Sequence, residues 1–300
     1  MTAPTTTSAV APPALAQTGP AGSAIRPLVM YVVLAYGWTW GLSAAAFVLL
    51  PAGAISESTV DLLGTAVGFG PLLAALVVAA GLGRAALEEL LASVARWRVS
   101  PAWYVAALYG PALVAVAGAT AWYGAGALAY DRIWPAIVTR YLPAALTTLL
   151  TAGPIQEELG WRGFALTRLQ RLLGPATGTV VLGAVWAAWH LPNVYLRGWD
   201  TATAALFLLA TFLTAFAYTW LTNGAGGSVL LAMLLHAGIN TSTRLVSTLV
   251  PESALAGFET TSYALTALAY GLLAAVLLAA TRGRLNYQRT YRPVHGTPNP

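Results

Sequence analysis

Apolar residues in this chain run on well past the length of a strand or of a surface helix, and the polar residues fall mostly into short breaks between the runs. About 20 apolar residues in a helix cross the hydrocarbon of a bilayer. Eight runs come near that length, at 28–50, 63–82, 101–121, 136–153, 176–196, 203–222, 227–247 and 262–280. The breaks carry glycine, proline and charge, as at Pro51, Gly81 to Arg84, Asp131-Arg132, Gly174-Pro175 and Gly198 to Asp200. Such residues stop or turn a helix. The pattern predicts an all-α fold, a polytopic membrane helix bundle of about eight transmembrane helices.

Outside the runs the pattern changes. Residues 1–24 are rich in Ala, Pro, Thr, Ser and Gly and carry no charged side chain, which predicts a disordered tail. That stretch lacks the basic start and apolar centre of a cleaved signal, so the first run is expected to stay as an anchor. A bundle domain is expected over 25–282, followed by a basic polar tail over 283–300. Between the second and third runs, Glu88 to Arg98 (EELLASVARWR) predicts an amphipathic helix on the membrane face, or else a solvated loop helix. Gly224 to Ser228 (GAGGS) predicts a tight turn between two spans.

Composition supports lipid as the solvent. Hydrophobic residues make up 58% of the 300-residue chain and charged residues 8%. A soluble domain carries about 25% charged residues, so this chain could not coat a water-facing surface. There is no cysteine, which excludes disulfides, thiolate nucleophiles and cysteine–metal sites. All fifteen cations are arginine, scattered near the ends of apolar runs rather than gathered in a stripe, so the net charge of +5 does not indicate a nucleic-acid partner.

The arginines also give a topology. Alternate sides, starting from the amino terminus, hold Arg26; Arg84, Arg96 and Arg98; Arg162, Arg168 and Arg171; and Arg282, Arg284, Arg289 and Arg292, which is eleven. The other side holds Arg132, Arg140, Arg197 and Arg244, which is four. Positive charge marks the cytoplasmic side, so both termini are expected in the cytoplasm of a multi-pass cell-membrane protein. Tryptophans 38, 40, 97, 103, 122, 134 and 199 fall near the expected span ends, as in an interfacial belt.

A few polar residues break the apolar pattern at helical spacing: Glu157-Glu158 with Arg162, His190 one turn after Trp186, and His236 with Asn240. An ionisable group inside a span costs about 2.5–3.5 kcal/mol on insertion scales, which makes each a functional-site candidate. Arg162 lies four residues after Glu158, so the two stack on one helix face and can pair. Glu157 is rotated about 100° from them and stays free for another role. A carboxyl in a partly dry site has a raised pKa, as a general base near neutral pH requires. His236 and Asn240 share one face, and two donors side by side suit developing negative charge. Each motif also has a structural explanation: acids at a helix start, a histidine bonded to a neighbouring helix, a polar pair joining spans. Trp186 and Trp189 are read as packing residues, and His295, in the polar tail, as inert.

Together the motifs resemble the CAAX-protease and bacteriocin-processing family (CPBP, or Abi) of intramembrane glutamic endopeptidases. That family carries EExxxR, an aromatic-xxx-His motif and HxxxN, in that order, in an eight-helix membrane bundle. Here they read EELGWR at 157–162, WAAWH at 186–190 and HAGIN at 236–240, with Trp186 where the family most often has Phe. The resemblance implies an intramembrane peptidase in which Glu157 and His190 hold and deprotonate a water. His236 and Asn240 would stabilise the oxyanion, and Glu158 and Arg162 would position the others. It also implies a membrane protein or peptide substrate and a site near, and opening to, the cytoplasmic side.

Rival chemistries stay in view. Glu157, His190 and His236 could supply two imidazoles and one carboxylate to zinc, yet Asn240 is a better donor than ligand and no HExxH is present, so no cofactor is expected. A serine peptidase would need a nucleophile motif that GAGGS does not offer. Asp61, Asp131 and Asp200 fall in expected loops rather than in spans, as an aspartyl peptidase would need. A proton-coupled transporter or a non-catalytic immunity or partner-binding protein of the same fold would use the same groups without hydrolysis.

Overall fold

The computed structural model describes residues 21–50 and 52–288, and every regular element among them is helical. In chain order these are α1 (Ala21–Leu49), α2 (Glu57–Val67), α3 (Gly70–Leu82), α4 (Arg84–Val94) and α5 (Pro101–Tyr123). Next, α6 (Ile133–Ala136) passes through a π-helical turn, Ile137–Tyr141, into α7 (Leu142–Thr151). The short α8 (Pro154–Glu158) leads through a second π-helical stretch, Leu159–Leu166, into α9 (Thr167–Leu173). The chain ends with α10 (Pro175–Trp189), α11 (Leu191–Leu196), α12 (Thr201–Gly224), α13 (Val229–Ser247) and α14 (Phe258–Ala280).

Among the described residues seven helical stretches are long and apolar enough to cross a membrane: Ala24–Leu49, Leu62–Leu82, Pro101–Tyr123, Tyr130–Thr151, Thr201–Gly224, Val229–Ser247 and Phe258–Ala280. The remaining run, 176–196, folds as α10 and α11 with a break at His190. Pro192 explains the break, because it has no N–H to donate and its ring clashes with the carbonyl one turn back. The 15 residues of α10 rise only about 22 Å, at about 1.5 Å per residue.

Other boundaries move for local reasons. Residues 21–24, expected in the tail, form the first turn of α1; the rest of that tail lies outside the described residues. Of the tail expected over 283–300, the start is docked, with Leu285 fully buried against Phe216, Ala274 and Leu277. His295 lies outside the described residues. The surface helix expected over 88–98 starts earlier and stops at Val94, since Gly83 at φ +110° turns the chain directly into α4. Leu90 and Ser93 point inward while Glu88 and Glu89 face out, so α4 is amphipathic as expected. Trp97, Trp122 and Trp134 are exposed near helix ends, whereas Trp38 and Trp40 sit within α1 and donate to the carbonyls of Ala66 and Trp189.

The bundle has two ends that side-chain contacts identify. At one, Phe47 packs on Tyr195, the Ala129 amide donates to Leu249, and Trp199 packs on Tyr263. These join the α1–α2, α5–α6, α11–α12 and α13–α14 connections. At the other, Asn223 bonds Gln170 and the Leu285 carbonyl, and Arg96 donates to Gly227. These join the α4–α5, α9–α10 and α12–α13 connections to the segment after α14. The GAGGS turn belongs to this second end, where Gly226 and Gly227 take positive φ and Ser228 caps α13. Asp200 caps α12 in the same way at the first end, accepting from Ala202 and Thr203.

Candidate active site

The break between α7 and α8 brings the first acid into place. Ala152 ends α7, Gly153 turns the chain at φ +95°, and Pro154 starts α8, so that Glu157 falls on its first turn. Only glycine fits at 153, for two reasons. The backbone is left-handed in φ, and a Cβ there would lie 2.9 Å from Glu157 Oε1 and 3.2 Å from His236 Nε2. That point in space shows how near the carboxylate and the imidazole come to each other. Gln156, buried beside Glu157, fastens the turn: its Oε1 accepts the Gly153 amide at 3.0 Å and its Nε2 donates to the Thr65 carbonyl at 3.2 Å. Gly68 makes room for it, since a Cβ there would meet Gln156 Oε1 at 2.4 Å.

Glu158 and Arg162 pair as their spacing predicts, with Nη1 donating to Oε1 at 2.9 Å, and both are fully buried. The same Oε1 meets His236 Nδ1 at 2.7 Å. A carboxylate paired to arginine can only accept, so Nδ1 of His236 carries the proton, and its Nε2 is the nitrogen turned to Glu157 and Gly153. The guanidinium of Arg162 lies between two ring faces, 4.1 Å from the Trp186 centroid and 3.8 Å from that of Tyr218. Breaking such a buried pair costs about 3–5 kcal/mol, because one charge is then left without a partner.

Trp186 corrects the expectation of a mere packing residue. Its indole Nε1 donates to Glu157 Oε2 at 2.8 Å, which leaves Oε1 toward Gly153 and His236. The ring also packs edge-on against both histidines, with centroids 5.7 Å from His190 and 5.9 Å from His236. Trp189 is a packing residue as expected, buried against Trp161 and His190. His190 Nδ1 lies 2.9 Å from the Trp186 carbonyl. A carbonyl can only accept, so Nδ1 donates and Nε2 of the neutral ring carries the lone pair. Glu157 lies between the spans Tyr130–Thr151 and Thr201–Gly224. Burial pushes its carboxyl above the usual carboxylate range, opposed by His236 and by the indole bond.

Glu157, His190, His236 and Asn240 all line one cavity of about 720 Å³. Its floor is the acid and imidazole cluster. Its walls add hydroxyls from Thr39, Ser43, Thr211 and Thr214, and an aromatic group of Phe207, Trp199 and Tyr263. Asn240 lies one turn beyond His236 and is exposed to the cavity side, as a shared helix face requires. Glu158 and Arg162 are not among the lining residues and sit behind the floor. Ser228 is engaged as a helix cap, and Asp131 and Asp200 lie outside the cavity lining; the Asp61 side chain lies outside the described residues. Among the described residues no three His, Asp or Glu side chains converge as a metal ion would need. Gln156, Gly153 and Tyr218 belong to the site but were not singled out by sequence. A Gly-Pro step just before an acidic pair was the available signal.

Comparison with known proteins meets this site. Residues 139–242 match the model of the type II CAAX prenyl endopeptidase Rce1-like family. A CAAX prenyl protease 2 from Methanococcus maripaludis is 26% identical over 117 residues, which are 36% of this chain and 42% of that protein. The alignment thus spans less than half of that relative's length. All six motif residues, Glu157, Glu158, Arg162, His190, His236 and Asn240, fall within the matched stretch 139–242. The motif-bearing segment of this multi-pass bundle is thus similar to the type II CAAX prenyl endopeptidase Rce1-like family.

Proposed function

We propose that the chain is an intramembrane endopeptidase that hydrolyses a peptide bond of a membrane-associated protein or peptide with an activated water and no metal. The observation that carries this reading is the meeting of the Glu157 carboxylate and the His236 imidazole at Gly153, on the floor of a cavity that His190 and Asn240 also line. A carboxyl raised by burial is a better base than an exposed one. The family match and the name of the archaeal relative support the reaction class.

In this mechanism Glu157 and the Nε2 lone pair of His190 hold a water against the scissile carbonyl. Glu157 takes one proton as the water oxygen bonds to the carbonyl carbon. The oxyanion is held by His236, whose ring the Glu158 carboxylate orients through Nδ1, and by the Asn240 amide. The C–N bond then breaks as the proton on Glu157 passes to the leaving nitrogen, giving a free amine and a new carboxyl terminus. Glu158 and Arg162 position His236, and Trp186 and Gln156 position Glu157. The donor set supports the metal-free form: each imidazole has Nδ1 engaged, by a carboxylate or by a carbonyl, and Asn240 is a donor.

The test is a comparison of membrane proteomes from cells expressing the wild-type chain and Glu157→Gln. This variant keeps the shape of the side chain and its capacity to accept from Trp186. New carboxyl termini should appear with wild type and vanish with the variant, while thermal unfolding of the two proteins coincides. Cleavage should persist in a strong chelator. A variant that still fulfils the cellular role would replace hydrolysis with partner binding as the function.

A further inference from the structure

One wall of the cavity comes from a single face of α12. Phe207, Thr211, Thr214 and Tyr218 line it at helical spacing, which keeps them on one side of that helix. Tyr218 is the one of the four that meets both Trp186 and His236 at the floor. Its ring stands edge-on to His236, with centroids 5.9 Å apart and planes at 88°, and edge-on to Trp186 at 5.4 Å. Side chains on a helix lean toward its amino end. Tyr218 therefore leans back toward Thr214 and over the floor, away from the GAGGS turn that follows α12.

Four of the threonines that line the cavity spend their hydroxyl protons on backbone. Thr39 donates to the Val67 carbonyl at 2.8 Å, Thr151 to Thr147 at 2.8 Å, Thr214 to Thr211 at 2.8 Å and Thr266 to Ser262 at 2.7 Å. A threonine oxygen sits close enough to its own helix for this. The Tyr218 oxygen is carried at the far end of a ring, out of reach of the carbonyls of its own turn, and no described residue accepts from it. The Arg162 guanidinium lies 3.8 Å from the centre of that ring. A cation on a ring face draws on its electrons, which makes the O–H at the ring edge a stronger donor. A tyrosine also keeps its proton at neutral pH. His236 differs. Its Nδ1–H is engaged by Glu158 at 2.7 Å, so Nε2 donates only while the ring holds a second proton.

We propose that Tyr218 is a catalytic residue whose hydroxyl donates to the oxyanion beside Asn240 and His236. This role rests on the peptidase reading above and adds to it a donor that is neutral and protonated throughout. The hydrogen bond tightens as the water oxygen bonds to the carbonyl carbon and the carbonyl oxygen takes the charge. It slackens when the C–N bond breaks and the carbonyl reforms, and the proton never leaves Tyr218. A donor aimed at charge that develops in the transition state acts on kcat rather than on substrate binding.

Tyr218→Phe removes the oxygen and leaves the ring under Arg162 and against Trp186 and His236. Full-length wild type, Glu157→Gln and Tyr218→Phe are compared in two steps. Carboxyl-terminal fragments present in membranes with wild type and missing with Glu157→Gln map a cleavage site. A quenched fluorescent peptide spanning that site then gives kcat and KM for each purified protein in detergent. Rates are taken per folded molecule, with the folded fraction read from thermal unfolding, so a loss of fold does not pass for a loss of rate. Losing one oxyanion donor should lower kcat by about a hundredfold, with KM nearly unchanged. A Tyr218→Phe that turns over at the wild-type rate while Glu157→Gln is inactive overturns the proposal and leaves the peptidase reading intact, Tyr218 being then a platform for Arg162. A rise in KM with kcat kept overturns it too, since the hydroxyl then serves substrate binding alone. If Glu157→Gln cleaves like wild type, or wild type yields no fragments, the peptidase reading falls and the role of Tyr218 with it.

Discussion

The indole N–H of Trp186 donates to one oxygen of Glu157 at 2.8 Å and leaves the other facing Gly153 and His236. The bond favours the ionised carboxylate. A phenylalanine, the residue common at this place in the resembled family, keeps a ring over Arg162 but has no donor. Trp186→Phe should therefore raise the Glu157 pKa further, because the bond that opposes the effect of burial is lost. Since hydrolysis needs the ionised form, the acidic limb of the kcat/KM profile should shift to higher pH, with activity well above the limb little changed. An unshifted limb would mean that the bond does not tune Glu157.

Gly153→Ala meets two obstacles, a positive φ of 95° and a Cβ 2.9 Å from the Glu157 carboxylate. The left-handed backbone alone costs about 1–2 kcal/mol for a residue with a Cβ. Displacing Glu157 or His236 by a fraction of an ångström should cost far more in rate, on the order of a hundredfold in kcat. Thermal unfolding in detergent and a cleavage assay on the same preparation read the two effects separately.

Arg162→Leu should unfold more easily than wild type by about 3–5 kcal/mol, because Glu158 would stay buried with only His236 to answer it. The double variant Arg162→Leu, Glu158→Gln should regain part of that loss while remaining slow, since His236 then lacks the carboxylate that orients its ring. Chemical denaturation of both variants checks the order.

Gln156→Ala removes the ties from α8 to the Gly153 amide and to Thr65. Two neutral hydrogen bonds are worth about 1 kcal/mol each, so the fold should persist. Glu157 loses its fixed approach, and kcat should fall several-fold with KM nearly unchanged, the signature of an interaction spent in the transition state. A fall through KM alone would assign Gln156 to substrate binding instead.

The parts of the site that sequence made legible are those that helical periodicity dictates. Glu158 with Arg162, and His236 with Asn240, are one turn apart, and any helix through those segments puts each pair on one face. What joins the pairs was not legible. The Trp186–Glu157 bond spans 29 residues, and the bond from His236 to Glu158 spans 78; both depend on how the π-helical stretch after Glu158 turns the chain. The span expected over 176–196 illustrates a competing signal. Its apolar composition is sufficient for a crossing, but Pro192 divides it at His190. Likewise the shared cavity is a property of which helices meet, and no local pattern of residues encodes that.

The division of α10 from α11 has a consequence for the lipid. A rise of about 22 Å is shorter than hydrocarbon of about 30 Å, and a short helix draws the surrounding leaflet inward to match its length. Val180 and Leu191 are exposed along this wall, so acyl chains are expected to meet it directly and the film to dimple beside His190. A polypeptide lying in the headgroups would have less greasy depth to cross there than beside a full-length span.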